Sequence, residues 1–185
     1  AVGDPRRAGA GRSAAADVGP GGRARDLPAV APAPGAGVTA LVFRAGPVFC
    51  ALPLDEVIET MRPLETRALA GTPPYVCGLT VLRGEPTPVI DVTRLLTGAD
   101  GLIDRYVAVR AARGPVVCAT GPVLGVREVL VSPPEESSVL FTGISKALIA
   151  AVGTIGADPL LLLRSPRAVP DEVWEAAGRT PEPVS

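Results

Sequence analysis

Between Val38 and Arg164 the chain is a succession of short apolar runs, each broken by glycine, proline or a charged pair. Val38–Arg44 alternates as a half-buried strand does, and Ala45-Gly46 turns it into a second, Pro47–Leu52. Pro53-Leu54-Asp55-Glu56 breaks the pattern before Val57–Met61 resumes it, with a period of two that puts Val57, Glu59 and Met61 on one face. A loop then runs to Pro74. Val76–Leu82 and Pro86–Val92, joined by Arg83-Gly84-Glu85, predict the central hairpin, with Gly84 taking the positive φ of the turn. Gly78 leaves a hole in one face of the first run, where either a bulge forms or another chain comes close. Val92–Leu96 predicts one or two helical turns, capped by Asp91 and ended by Gly98. Strands this short, with turn signals throughout, predict a small closed barrel.

The second half repeats the plan. Tyr106–Arg110 and Pro115–Thr120 form a hairpin around Ala112-Arg113-Gly114, Val123–Val131 is a third strand, and Pro133–Ser137 is a loop. Leu148–Ile155 and Leu160–Arg164 close the domain as a hairpin that mirrors the central one, which predicts an internal duplication into two barrel-like halves. Asp171–Ala177 reads as a short helix with acidic residues in its first turn, and its Trp174 covers the barrel. Residues 1–37 are almost wholly Ala, Gly, Pro, Arg and Asp. A tract so poor in large apolar groups predicts a disordered tail whose removal leaves the fold intact.

Composition narrows the chemistry. Hydrophobic residues make up 47% of the 185 and aromatics only 3%, so the core is aliphatic. A net charge of -1 argues against nucleic acid or an anionic membrane surface as partner. With no histidine, a Ser-His-Asp triad, a Cys-His pair and a histidine metal site are all excluded. Cys50, Cys77 and Cys118 lack metal or redox spacing and each lies in an apolar run, where a thiol serves as a small buried hydrophobe. The expectation is therefore no catalytic residue, no cofactor and no metal. An odd number of buried thiols, with no bilayer-length apolar stretch and no signal-peptide core, points to the cytoplasm.

The run Val76-Cys77-Gly78 leading to Leu82-Arg83-Gly84-Glu85-Pro86-Thr87-Pro88-Val89-Ile90-Asp91 resembles the central hairpin of the CheW-like domains, which couple chemoreceptors to a histidine kinase. The resemblance implies an all-β fold of two five-stranded SH3-like barrels around a shared apolar core, with short helical turns and a short C-terminal helix. It covers a domain of residues 38–168, divided into subdomains of about 38–98 and 105–168, followed by a short C-terminal helix and tail, residues 169–185. It further implies a receptor-binding site at Val57, Glu59, Gly78, Arg83 and Gly84, beside an apolar groove between the halves that receives the receptor tip. The regulatory domain of a CheA-type kinase would meet exposed barrel edges, and the membrane would be reached only through the receptor.

On the residues alone, Arg83 and Glu59 make an ordinary surface ion pair worth about 0–1 kcal/mol, and Gly78 is equally a bulge glycine or a flat patch for a helix. Three departures from the family pattern stand out. Val81 occupies the place of an asparagine, Thr120-Gly121-Pro122-Val123 lacks an aspartate, and Leu163-Arg164-Ser165-Pro166 lacks the acidic ending of the closing strand. The missing aspartate implies that Asp at Gly121 would alter kinase affinity more than stability. Two other readings of the chain are a detached regulatory domain of a kinase or response-regulator fusion and a small β-barrel enzyme.

Overall fold

Most strands of this protein are buried on both faces, which is why their sequences read as continuous apolar runs instead of clean alternations. The structure, a computed structural model, describes residues 33–134, 148–164 and 169–178. In chain order the elements are β1 (Ala36–Ala45), β2 (Val48–Pro53), β3 (Val57–Met61), β4 (Thr66–Arg67), β5 (Val76–Leu82), β6 (Glu85–Asp91), α1 (Val92–Thr97), β7 (Arg105–Ala111), β8 (Gly114–Thr120), β9 (Val123–Ser132), β10 (Ile149–Ile155), β11 (Asp158–Leu163) and α2 (Asp171–Gly178).

Five strands close into a barrel in the order β1-β2-β11-β10-β9, and six form a second sheet, β3-β7-β8-β6-β5-β4. Both are assembled alike. In the barrel the hairpins β1–β2 and β10–β11 join through a parallel pairing of β11 with β2. In the second sheet β7–β8 and β5–β6 join through a parallel pairing of β6 with β8. One further strand flanks the first hairpin in each case, β9 on β1 and β3 on β7. The duplication expected from the sequence takes this form.

The halves of the chain are nevertheless not the halves of the fold. The barrel takes β1 and β2 from the stretch 38–98 and β9 to β11 from 105–168, and the second sheet draws on both stretches as well. The subdomain boundaries read from the sequence are corrected accordingly. Each parallel pairing joins strands remote in sequence, which local periodicity cannot reveal. The second sheet also has six strands where five were expected, because β4 lies in the segment read as loop.

Three apolar cores result. Val42, Ala51, Val131 and Leu160 fill the barrel, while Val89, Ala108, Val117 and Leu82 form a core on one face of the second sheet. Between them, the outward faces of both sheets share a core of Phe43, Leu52, Ile90, Val107, Val116 and Leu161. Neighbours along a strand point into different cores: Val107 and Val109 into the shared one, Tyr106 and Ala108 into the other. Each fully buried aliphatic side chain here contributes about 1.5–3 kcal/mol.

The helices seal this arrangement. Asp91 caps α1, its side chain accepting from the Arg94 N–H at 3.0 Å, and Gly98 ends it at φ 73°. Trp174 of α2 is half-buried against the shared core, over the turn between β7 and β8, with Arg113 5.8 Å above its ring. The sequence predicts a cover for the barrel, whereas Trp174 covers the shared core beside the second sheet.

The N-terminal boundary moves as well. Ala36 and Gly37 pair with Val131 and Leu130, so β1 begins inside the stretch read as tail; residues 1–32 of that expectation lie outside the described residues. Removing residues 1–37 is now expected to be felt. A chain starting at Val38 should melt roughly 2–5 °C below one starting at Ala33, the scale of one or two ladder hydrogen bonds. Equal melting by differential scanning calorimetry would contradict this.

Candidate partner-docking site

The site is built around the β5–β6 turn. Leu82 pairs with Glu85, so the loop has two residues, Arg83 and Gly84, and Glu85 belongs to β6 instead of the turn. Both loop residues have positive φ, 52° and 87°, as a turn matching the right-handed twist of a hairpin requires. Arg83 Nε donates to Glu59 Oε1 at 2.8 Å, with the arginine side chain 69% exposed and the glutamate 32%. In the barrel, β9 and β10 are hydrogen-bonded and complete the circle. Their counterparts β3 and β5 do not pair: β5 carries β4 on that edge, and the Arg83–Glu59 ion pair joins the β5–β6 turn to β3 across this unlaced side of the second sheet.

The expected site residues do not all converge. Glu59, Arg83 and Gly84 come together at this surface. Val57 does not share a face with Met61, because the β3–β7 register shifts between Val57 and Glu59. Val57 packs on the shared core and Met61 on the core of the second sheet. A bulge of this kind breaks the period-two rule on which the common face rested. Gly78 is buried, at φ 131°, beside a register shift in β5–β6. A Cβ there would lie 1.9 Å from the carbonyl oxygen of Arg67. The close-approaching chain is its own β4, so Gly78 offers no open patch for a partner helix.

Among the described residues, the layer between the two sheets is packed core. A concave apolar surface of about 630 Å³ lies along β4, β5 and β6, lined by Leu64, Leu69, Leu79, Val81, Pro86 and Ala176, with Arg67 and Glu65 beside them. Val81, 64% exposed, stands in it at one of the departures from the family pattern. Sequence reasoning missed Leu64, Arg67 and Leu69 because their segment was read as plain loop. The isolated leucines at 64 and 69 were the available signal.

The thiols behave as buried hydrophobes. Burial pushes Cys118 up to about 12, with the charge of Glu56 adding to it, and burial also raises Cys50. Half-buried Cys77 is raised first by burial and then by the charge of Asp91. Among the described residues, no group of three or more Cys, Asp or Glu side chains is placed to hold a metal ion, and no helix is long and apolar enough to cross a membrane. Residues 135–147, which include the end of the loop read at Pro133–Ser137, lie outside the described residues.

The solved structure of the scaffolding protein TtCheW from Thermoanaerobacter tengcongensis matches with a TM-score of 0.62 at 18% identity, over 70% of this chain and 90% of that one. At that identity the likeness shows the fold. A comparison with curated proteins found no match. The family model of the CheW-like domain matches residues 39–172, from β1 into α2 and across both sheets, and the chain belongs to the CheW-like domain family.

Proposed function

We propose that this chain is a non-enzymatic adaptor of the cytoplasm, coupling the cytoplasmic tip of a methyl-accepting chemoreceptor to the regulatory domain of a CheA-type histidine kinase. The observation that carries this reading is the exposed Arg83–Glu59 pair on the unlaced side of the second sheet, at the positions the family pattern assigns to receptor contact. The guanidinium engages Glu59 through Nε and keeps both amino groups for a partner carboxylate. The kinase would meet the barrel, where Leu124, Val126 and Leu130 stand exposed along β9. Such a part works by geometry, holding two partners in register, and arrays multiply its weak contacts through effective concentration.

The test is to titrate the purified chain with a chemoreceptor tip fragment and, separately, with the kinase regulatory domain, both encoded in the same genome. Arg83→Ala is expected to weaken tip binding by roughly 1.5–3 kcal/mol, the scale of a hydrogen bond to a charged group, and to leave kinase binding unchanged. Glu59→Ala should give a milder loss, because Glu59 orients Arg83. Equal loss toward both partners would make the pair structural, and no binding by wild type to either would sink the adaptor reading.

A further inference from the structure

We infer that the concave apolar surface along β4, β5 and β6 is the dock of this chain's own segment after α2, residues 179–185, which lie outside the described residues. The surface gains by being covered. Val81 is 64% exposed and Leu64 39%, and apolar side chains grouped in a hollow are stabilised by leaving water. Ala176, in the last turn of α2, lines the same hollow, so the chain leaves the helix beside it. The other end of α2 is fixed. Asp171 pairs with Arg113 at the β7–β8 turn and Val173 is fully buried, which holds the C-terminal end of the helix at the hollow. Residues 179–185 are seven, with an extended reach of about 23 Å, and β5 is also seven residues long. Their sequence, Arg179-Thr180-Pro181-Glu182-Pro183-Val184-Ser185, suits the surface chemically. Pro181, Pro183 and Val184 supply apolar groups, and the prolines stiffen the segment, so docking it costs less ordering entropy. Proline also brings no N–H to bury among apolar side chains. Charge agrees as well. Glu65 and Arg67 stand beside the hollow, and among the described residues neither side chain takes part in an ion pair. Arg179 and Glu182 offer the opposite signs, and such surface pairs fix register more than they add affinity. With the segment in place, a partner reaches this face only by displacing it.

The experiment compares the isotopically labelled 185-residue chain with one ending at Gly178, by NMR of the backbone amides and by titration with a synthetic peptide of residues 179–185. Ending the chain at Gly178 is expected to shift the amides of Leu64, Leu79 and Val81 more than those of any strand away from the hollow, and the peptide should restore them. In the full chain the Glu182 and Val184 amides should have order parameters above about 0.6, the limit of flexible backbone. The peptide should bind the full chain at least about tenfold more weakly than the shortened one, because the tethered segment competes at an effective concentration in the millimolar range. Val81→Glu, at an exposed position, should remove both differences. A peptide carrying Glu182→Arg, which leaves the folded chain untouched, should bind the shortened chain more weakly. Shifts confined to the last turn of α2, order parameters below that limit, or equal peptide affinity for the two chains would overturn the inference. So would shifts that fade on dilution, since they would put the segment of a second copy in the hollow.

Discussion

Gly78→Ala is expected to destabilise the protein by at least about 3 kcal/mol, a fall in Tm of roughly 6–12 °C. Two penalties coincide at this position. The backbone φ of 131° lies where a side chain is strained, and the added Cβ would sit 1.9 Å from the Arg67 carbonyl oxygen and 2.8 Å from the Ala68 Cα. Both obstacles are backbone, so no rotamer change relieves them. The chain must push β4 off β5, losing the pairing of Thr66 with Thr80 and Arg67 with Leu79. Thr66 also shares a 2.8 Å hydrogen bond with the Tyr106 hydroxyl, so the displacement reaches the core of the second sheet. Gly84→Ala supplies the control. Its φ of 87° carries similar conformational strain, but nothing lies within 4 Å of the new Cβ, and about 1 kcal/mol is expected. Equal losses at the two positions, measured by thermal or urea unfolding, would show that φ alone matters and that β4 is not packed on Gly78.

Gly121→Asp is expected to cost about 3 kcal/mol of stability, with any change in kinase binding following from unfolding. The absence of the family's aspartate here invites a functional account, but the structure supplies a steric one. Gly121 is buried between β8 and β9, its N–H donates to the Arg44 carbonyl at 2.9 Å, and Arg44 in turn donates to the Pro122 carbonyl at 3.0 Å. An added Cβ would come within 2.9 Å of that same Arg44 oxygen. An aspartate would also place a carboxylate against a backbone acceptor with little water. The backbone of Gly121 is not in the left-handed region, so space, not torsion, makes glycine necessary. The expectation that Asp here would tune affinity more than stability is therefore replaced. A variant melting within about 2 °C of wild type, yet binding the kinase regulatory domain differently, would restore the functional account.

By itself the sequence determined the local elements of this protein. Runs such as Val76–Leu82 and Val57–Met61 begin and end in the structure where glycine, proline and charge interrupt the apolar pattern. The Asp91 cap and the Gly98 stop of α1 were legible for the same reason, because caps and turns depend on a few adjacent residues. The hairpin motif was specific enough to indicate the family and to name Arg83 and Glu59, which the fold brings to 2.8 Å across 24 residues of chain. Tertiary structure alone decided what depends on pairing between distant strands. Only there does the barrel take its strands from both ends of the chain, through a parallel pairing of β11 with β2 that leaves no trace in periodicity. Only there does a bulge turn Val57 away from Met61, since one extra residue shifts the side-chain alternation. Gly78 could equally have faced a partner until β4, two residues long and hidden in a loop, was found against it. Local preference acts over a few bonds and can be read from neighbours. Which backbone fills a given space is settled by the whole chain folding around a common core.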